Sequence, residues 1–149
     1  MKSAFTMIEL IFVIVIIGIL SAVAIPKLNA TRNDAEVSVR ANNVAIGAEE
    51  IATYAVAHGK TETTFSTMSN AISTMITKNN ASQINATTLN IRMHNTLDCL
   101  QLKVINSATD ANLTLAYGNA GNDTRCQALQ GAINASDYPI SLSGTRVIY

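Results

Sequence analysis

The amino-acid sequence predicts an α+β fold in which one long N-terminal helix, membrane-spanning in its first half and amphipathic in its second, packs on an antiparallel β-sheet. Three observations carry this. An apolar run occupies 5–25, with Glu9 its one ionisable side chain. Val37, Ala41, Val44, Ala48, Ile51 and Ala55 then recur at steps of four and three, the spacing of one helix face. Further on, three segments alternate apolar and polar residues with a period of two, the pattern of strands with one buried face.

Taken in order, the run from Phe5 to Ile25 is 21 residues long. As a helix it measures about 31 Å, close to the thickness of a bilayer's hydrocarbon core. Thr6, Gly18 and Ser21 are its other non-apolar positions. The stripe on 37–55 continues it, so one helix is expected from Phe5 to about Ala57, roughly 80 Å long, bent near Pro26 and ended by Gly59. Asp34, Glu36, Arg40, Asn43 and Glu50 fall largely off the stripe. Phe65, Met68, Ile72, Met75 and Ile76 indicate a short second helix. The strands are centred on Leu89, Ile91 and Met93, then Leu100, Leu102 and Val104, then Leu113, Leu115 and Tyr117. Ser107 to Asn112 is the expected hairpin loop, and Gly118 to Gly121 ends its second strand. Cys126, Leu129 and Ile133 indicate another short helix, and Thr145 to Tyr149 a last strand.

Composition excludes several functions. Ten Lys and Arg balance ten Asp and Glu, and the cations are nowhere clustered, so nucleic-acid binding has no electrostatic footprint. His58 and His94 lack metal-ligand spacing, and there is no Walker loop, GxSxG, HExxH or CxxC. Neither metal nor cofactor is expected. His94, Asp98 and Cys99 lie close together, yet they read as polar residues at a strand end, not as a catalytic set, and no enzymatic activity is expected. Cys99 and Cys126 form one disulfide if the domain is exported, and are two separate buried thiols if it is not. Among several Asn-x-Ser/Thr triplets, Asn112-Leu113-Thr114 has Asp110 two residues before its Asn, but it falls on an expected strand, a poor setting for glycosylation.

Three readings compete for the N-terminus. Lys2, the stretch Leu10 to Leu20 and Ala22-Val23-Ala24 together have the layout of an ordinary secretory signal, which would release a secreted binding domain after Ala24. A plain single-span anchor is the second reading, with cations on both flanks and hence no clear orientation. The third rests on the string Ala4-Phe5-Thr6-Met7-Ile8-Glu9-Leu10, the uninterrupted apolar stretch after it, and Gly18 and Pro26. This segment resembles the prepilin-type N-terminus of type IV pilins and type II secretion pseudopilins, in which a short basic leader precedes Phe, Thr and a Glu four residues after the Phe. The resemblance covers about 26 residues closely and the rest only in layout. Ala4 departs from it, since the family usually carries Gly before the cut.

The resemblance implies a pilin-like fold with a leader at 1–4, a transmembrane assembly helix at 5–26 and a periplasmic globular domain at 27–149. A prepilin peptidase would cut between Ala4 and Phe5, and Phe5 would be N-methylated. The chain would then sit in the inner membrane as a single-pass protein and polymerise with copies of itself or other pilin-like subunits into a pilus or pseudopilus. A carboxylate in apolar surroundings needs a counter-charge, and the new α-amine on Phe5 is four residues from Glu9. The pair forms within one chain or with a neighbour; the resemblance favours the neighbour. Alternatively Glu9 only complements the helix dipole. Gly18 and Pro26 are places where the helix can loosen. In the family a bridge such as Cys99–Cys126 often defines the exposed C-terminal region, and closing so short a loop is worth roughly 3–4 kcal/mol.

Overall fold

A computed structural model describes residues 6–106 and 110–143 of the chain. It divides into two units, Met1–Ala35 and Glu36–Tyr149. Helix α1, Met7–His58, begins in the first unit and supplies the longest element of the second. Its first part is exposed apolar surface throughout, long and apolar enough to cross a membrane. Gly18 and Pro26 both lie inside the helix and neither ends it. Pro26 removes a single backbone donor, which the flanking turns tolerate. Gly59, at φ 67, closes α1 as expected, because a glycine reaches the left-handed region without a Cβ penalty.

In the second unit α1 buries Val37, Val44, Gly47, Ala48, Ile51 and Ala55, with Ala41 half-buried. The stripe therefore faces the core, with one correction. Arg40, read as largely off the stripe, is only 6% exposed. It stands three residues after Val37 and four before Val44, so helical geometry places it on the buried face whatever its charge.

The expected second helix is two, α2 at Phe65–Met68 and α3 at Asn70–Thr77. Ser69 between them is extended, and its side chain accepts from Ile72 N at the start of α3. A serine competing for backbone hydrogen bonds thus breaks one apolar periodicity into two helices.

The sheet is an antiparallel meander in the order β1-β2-β3-β4-β5: Ala81–Asn85, Thr88–Met93, Thr96–Asn106, Ala111–Tyr117 and Ile140–Ser141. Leu89, Ile91, Met93, Leu100, Leu102, Val104, Leu113 and Leu115 form one core with α1, Phe65, Ile72 and Met75. The layout is α+β, a long N-terminal helix packed on an antiparallel sheet, consistent with a pilin-like fold. Strand β1 was not expected, since an edge strand reading Ala-Ser-Gln-Ile-Asn has little apolar alternation. Cys99 does not open its strand but is its fourth residue, because β3 starts at Thr96, opposite Met93. Tyr117 is not a core residue: it is 47% exposed, and its hydroxyl donates to Ile133 O at 2.6 Å. The expected strand over Thr145 to Tyr149 lies outside the described residues, as does part of the Ser107 to Asn112 loop.

Helix α4, Thr124–Ala132, packs against β2 and β3. The meander closes tightly beside it. A Cβ on Gly118 would fall 1.6 Å from Asp98 O, while one on Gly131 meets nothing within 4 Å. Gly118→Ala is accordingly expected to lower unfolding stability by about 3 kcal/mol through backbone displacement. Gly131→Ala, inside α4, should raise it by about 0.5–1 kcal/mol through helix propensity. Denaturant titration of both variants in detergent checks the pair; equal effects would contradict the packing at Gly118.

Candidate functional site

The chemistry-bearing residues fall into two places, one in each unit. In the first, Thr6 precedes the opening turn of α1. Thr6 N donates to Glu9 Oε2 at 2.8 Å and its hydroxyl to the same oxygen at 2.6 Å, while Glu9 N reaches Thr6 Oγ1 at 3.4 Å. This is a reciprocal capping box, in which Glu9 satisfies a backbone donor that the helix leaves orphaned. Among the described residues no cation pairs with Glu9. Ala4 and Phe5 lie outside the described residues. Downstream, every position from Met7 to Leu28 except the half-buried Ser21 is exposed. A Cβ built at Gly18 meets open space. The segment therefore has no apolar partner within its own unit, and its side chains are available to lipid or to another helix.

The second place is the charged end of the globular unit. Arg40 Nη1 donates to Arg92 O at 2.8 Å and to Asn80 O at 3.2 Å, and Nη2 lies 3.6 Å from Glu36 Oε1. Glu36 also accepts from Arg125 Nη1 of α4 at 3.2 Å. One guanidinium thus ties α1 to the start of β1 and the end of β2, and Glu36 extends the tie to α4. Burial pulls the Arg40 pKa below its usual value, while Glu36 pushes the other way.

Asp123 performs a parallel task. Its Oδ1 caps α4 by accepting from Arg125 N and Cys126 N, and its Oδ2 accepts from Asn95 N and Thr96 Oγ1 in the β2–β3 turn. Burial raises its pKa, but the donors from Cys126, Thr96, Arg125 and Asn95 outweigh that and hold the carboxyl below its ordinary value. On the far side of α1, Glu50 accepts from the Ser69 hydroxyl at 2.6 Å and Ala71 N at 3.0 Å, bonds that lower its pKa in the same way.

Cys99 and Cys126 are joined, with Cα atoms 5.6 Å apart, so β3 and α4 are stapled. Gln130 reinforces the staple by donating to Cys99 O and Gly118 O. The cluster of His94, Asp98 and Cys99 is not brought together as a reactive set. Cys99 has no thiol, and His94 Nδ1 lies 3.5 Å from Asp123, not Asp98. Asn112 is flanked on both sides, opposite Ile105 on β3 and Ser141 on β5. Sequence reasoning missed Arg40, Glu50 and Asp123. The stripe spacing around Arg40 and the place of Asp123 just before a helix were legible signals, whereas the partners of Glu50 and the contacts of Asp123 to Asn95 and Thr96 come from distant elements. In comparison with known proteins, the chain matches no family model, no curated protein and no solved structure.

Two outcomes follow from these networks. Arg40→Met would leave the carbonyls of Asn80 and Arg92 short of donors and should cost about 2–4 kcal/mol. Arg40→Lys should recover only part of this, lacking the forked geometry. For Asp123 the folded pKa lies below the unfolded one, about 3.9. Its stabilisation is therefore complete above that pH and fades as pH falls through the folded pKa. Asp123→Asn should lower stability at pH 7 and flatten the acid limb below about pH 4. Thermal melts across pH read both effects; an unchanged acid limb would remove Asp123 from the account.

Proposed function

We propose that the chain is a structural, non-catalytic subunit of a type IV pilus or a type II secretion pseudopilus, held in the inner membrane by α1 and polymerised through it. The observation that carries this reading is the first part of α1: an exposed apolar helix with a single carboxylate in its opening turn, running unbroken into a half that packs on a sheet. The apolar length supports a single-pass membrane protein, because only a helix or a closed barrel satisfies its backbone in lipid. The disulfide supports export of the globular unit to an oxidising compartment, the periplasm or beyond. The resemblance at Ala4 to Leu10 supplies the rest. A prepilin peptidase removes 1–4, Phe5 becomes the methylated N-terminus, and the partners are other pilin-like subunits.

On this reading Glu9 has two tasks that chemistry can separate. A capping box accepts Glu or Gln, so Glu9→Gln keeps the first turn of α1. The same change removes the charge, which favours insertion but abolishes attraction to the amine of a neighbouring Phe5. Membrane content should therefore be unchanged or higher. Filament yield should fall about tenfold or more, the equivalent of one lost charge-assisted contact of roughly 1.5–3 kcal/mol. Normal filaments from this variant would reduce Glu9 to a helix cap. The mature N-terminus tests the whole proposal by mass spectrometry: Phe5 is expected, Ile25 would mark a secreted domain, and Met1 a plain anchor.

A further inference from the structure

The chain holds six Asn-x-Ser/Thr triplets, at Asn29, Asn80, Asn85, Asn112, Asn122 and Asn134. The fold treats them very differently. Asn29 is inside α1, and Asn112 is paired on both sides within the sheet. The triplet at Asn80 contains the buried Ala81, and its first carbonyl holds Arg40 and Arg92. The one at Asn122 contains Asp123, whose side chain caps α4. In the one at Asn134, the carboxamide oxygen accepts from Ser136 N but not from the serine hydroxyl, and Ala135 N is bonded to the Tyr117 hydroxyl.

Asn85-Ala86-Thr87 closes the β1–β2 hairpin, with Asn85 paired to Thr88 at the end of β1. All three residues are exposed, at the tip of the β1–β2 hairpin. Asn85 Oδ1 accepts from Thr87 N at 2.9 Å and from the Thr87 hydroxyl at 3.1 Å. Two donors on one carboxamide oxygen draw electron density from the amide nitrogen and make its protons easier to remove. That nitrogen makes no hydrogen bond among the described residues. The hydroxyl at the third position is thus already engaged with the group that would react.

We propose that Asn85 is an N-glycosylation acceptor, modified from a polyprenyl-diphosphate-linked sugar. Asn85 Nδ2 bonds to the sugar's anomeric carbon, whose bond to phosphate oxygen breaks. The diphosphate leaves with the electron pair, and one amide proton passes to a base of the transferase. The assignment rests on the export part of the proposed function, which the disulfide supports independently. It also gives the sugar a physical task. The neighbouring Ile84 is 58% exposed on the edge strand β1, and a bulky polar group there would stop that edge from pairing with another chain.

The test is a tryptic digest of the chain isolated from its own membranes or filaments, with fragmentation that keeps sugars attached. A sugar mass on the peptide Asn79–Arg92, localised to Asn85, is expected. It should vanish in Asn85→Asp, which keeps the turn's oxygen but not the amide, and in Thr87→Val. An intact Cys99–Cys126 bridge in both variants reads correct folding and export. A bare Asn85 in bridged native chain, or sugar at Asn80 or Asn112 instead, would overturn the assignment. The same digest reads the mature N-terminus, so the two proposals fail separately. A chain beginning at Phe5 with bare Asn85 removes only the glycan; one beginning at Ile25 with the glycan removes only the filament.

Discussion

A helix pairs its own backbone groups whatever surrounds its side chains, and α1 does so unbroken from Met7 to His58. The ladder runs on through Gly18 and Pro26, and its exposed first-turn donor at Thr6 is met by Glu9. The same ladder runs on into the globular unit, where one face of the helix is buried in the protein core. One helix therefore carries two sequence patterns, almost wholly apolar on every face from Leu10 to Ile25 and apolar on one face from Val37. A break between them would leave two sets of unsatisfied termini at the boundary, which explains why the helix is not interrupted there.

Within the globular unit, apolar burial makes the core, and polar tethers decide which elements meet around it. Arg40, Asp123 and Glu50 each reach from one element to backbone groups of another. All three bind groups that a turn or strand end leaves unpaired, so each replaces water where the core has excluded it. The disulfide and Gln130 do the same for α4, which buries only Cys126 and Leu129 and has little apolar area of its own. A helix of nine residues would be marginal without such attachments.

The proposed filament role and the proposed glycan use opposite ends of the chain's chemistry. Assembly depends on apolar helix surface left without a partner, whereas the hairpin tip at Asn85 presents polar groups beside one exposed isoleucine. Such a division suits a subunit that is buried along one element and faces solvent elsewhere. The cluster of His94, Asp98 and Cys99 is divided between a disulfide and the Asp123 helix cap.

Local periodicity was enough to define α1, its end at Gly59, the three central strands and α4, because those elements bury one face in a regular rhythm. The apolar run was likewise legible, since length and hydropathy are properties of contiguous residues. What waited for the tertiary structure is what distant residues decide. Arg40 was set largely off the apolar stripe, and only the carbonyls of Asn80 and Arg92 show why its burial is tolerated. Strand β1 has no apolar rhythm and exists because β2 pairs with it. Six triplets share one Asn-x-Ser/Thr pattern; at Asn85 the carboxamide oxygen accepts from both the amide and the hydroxyl of Thr87, whereas at Asn134 it accepts from the Ser136 amide, and strand pairing, helix capping or burial acts on the rest.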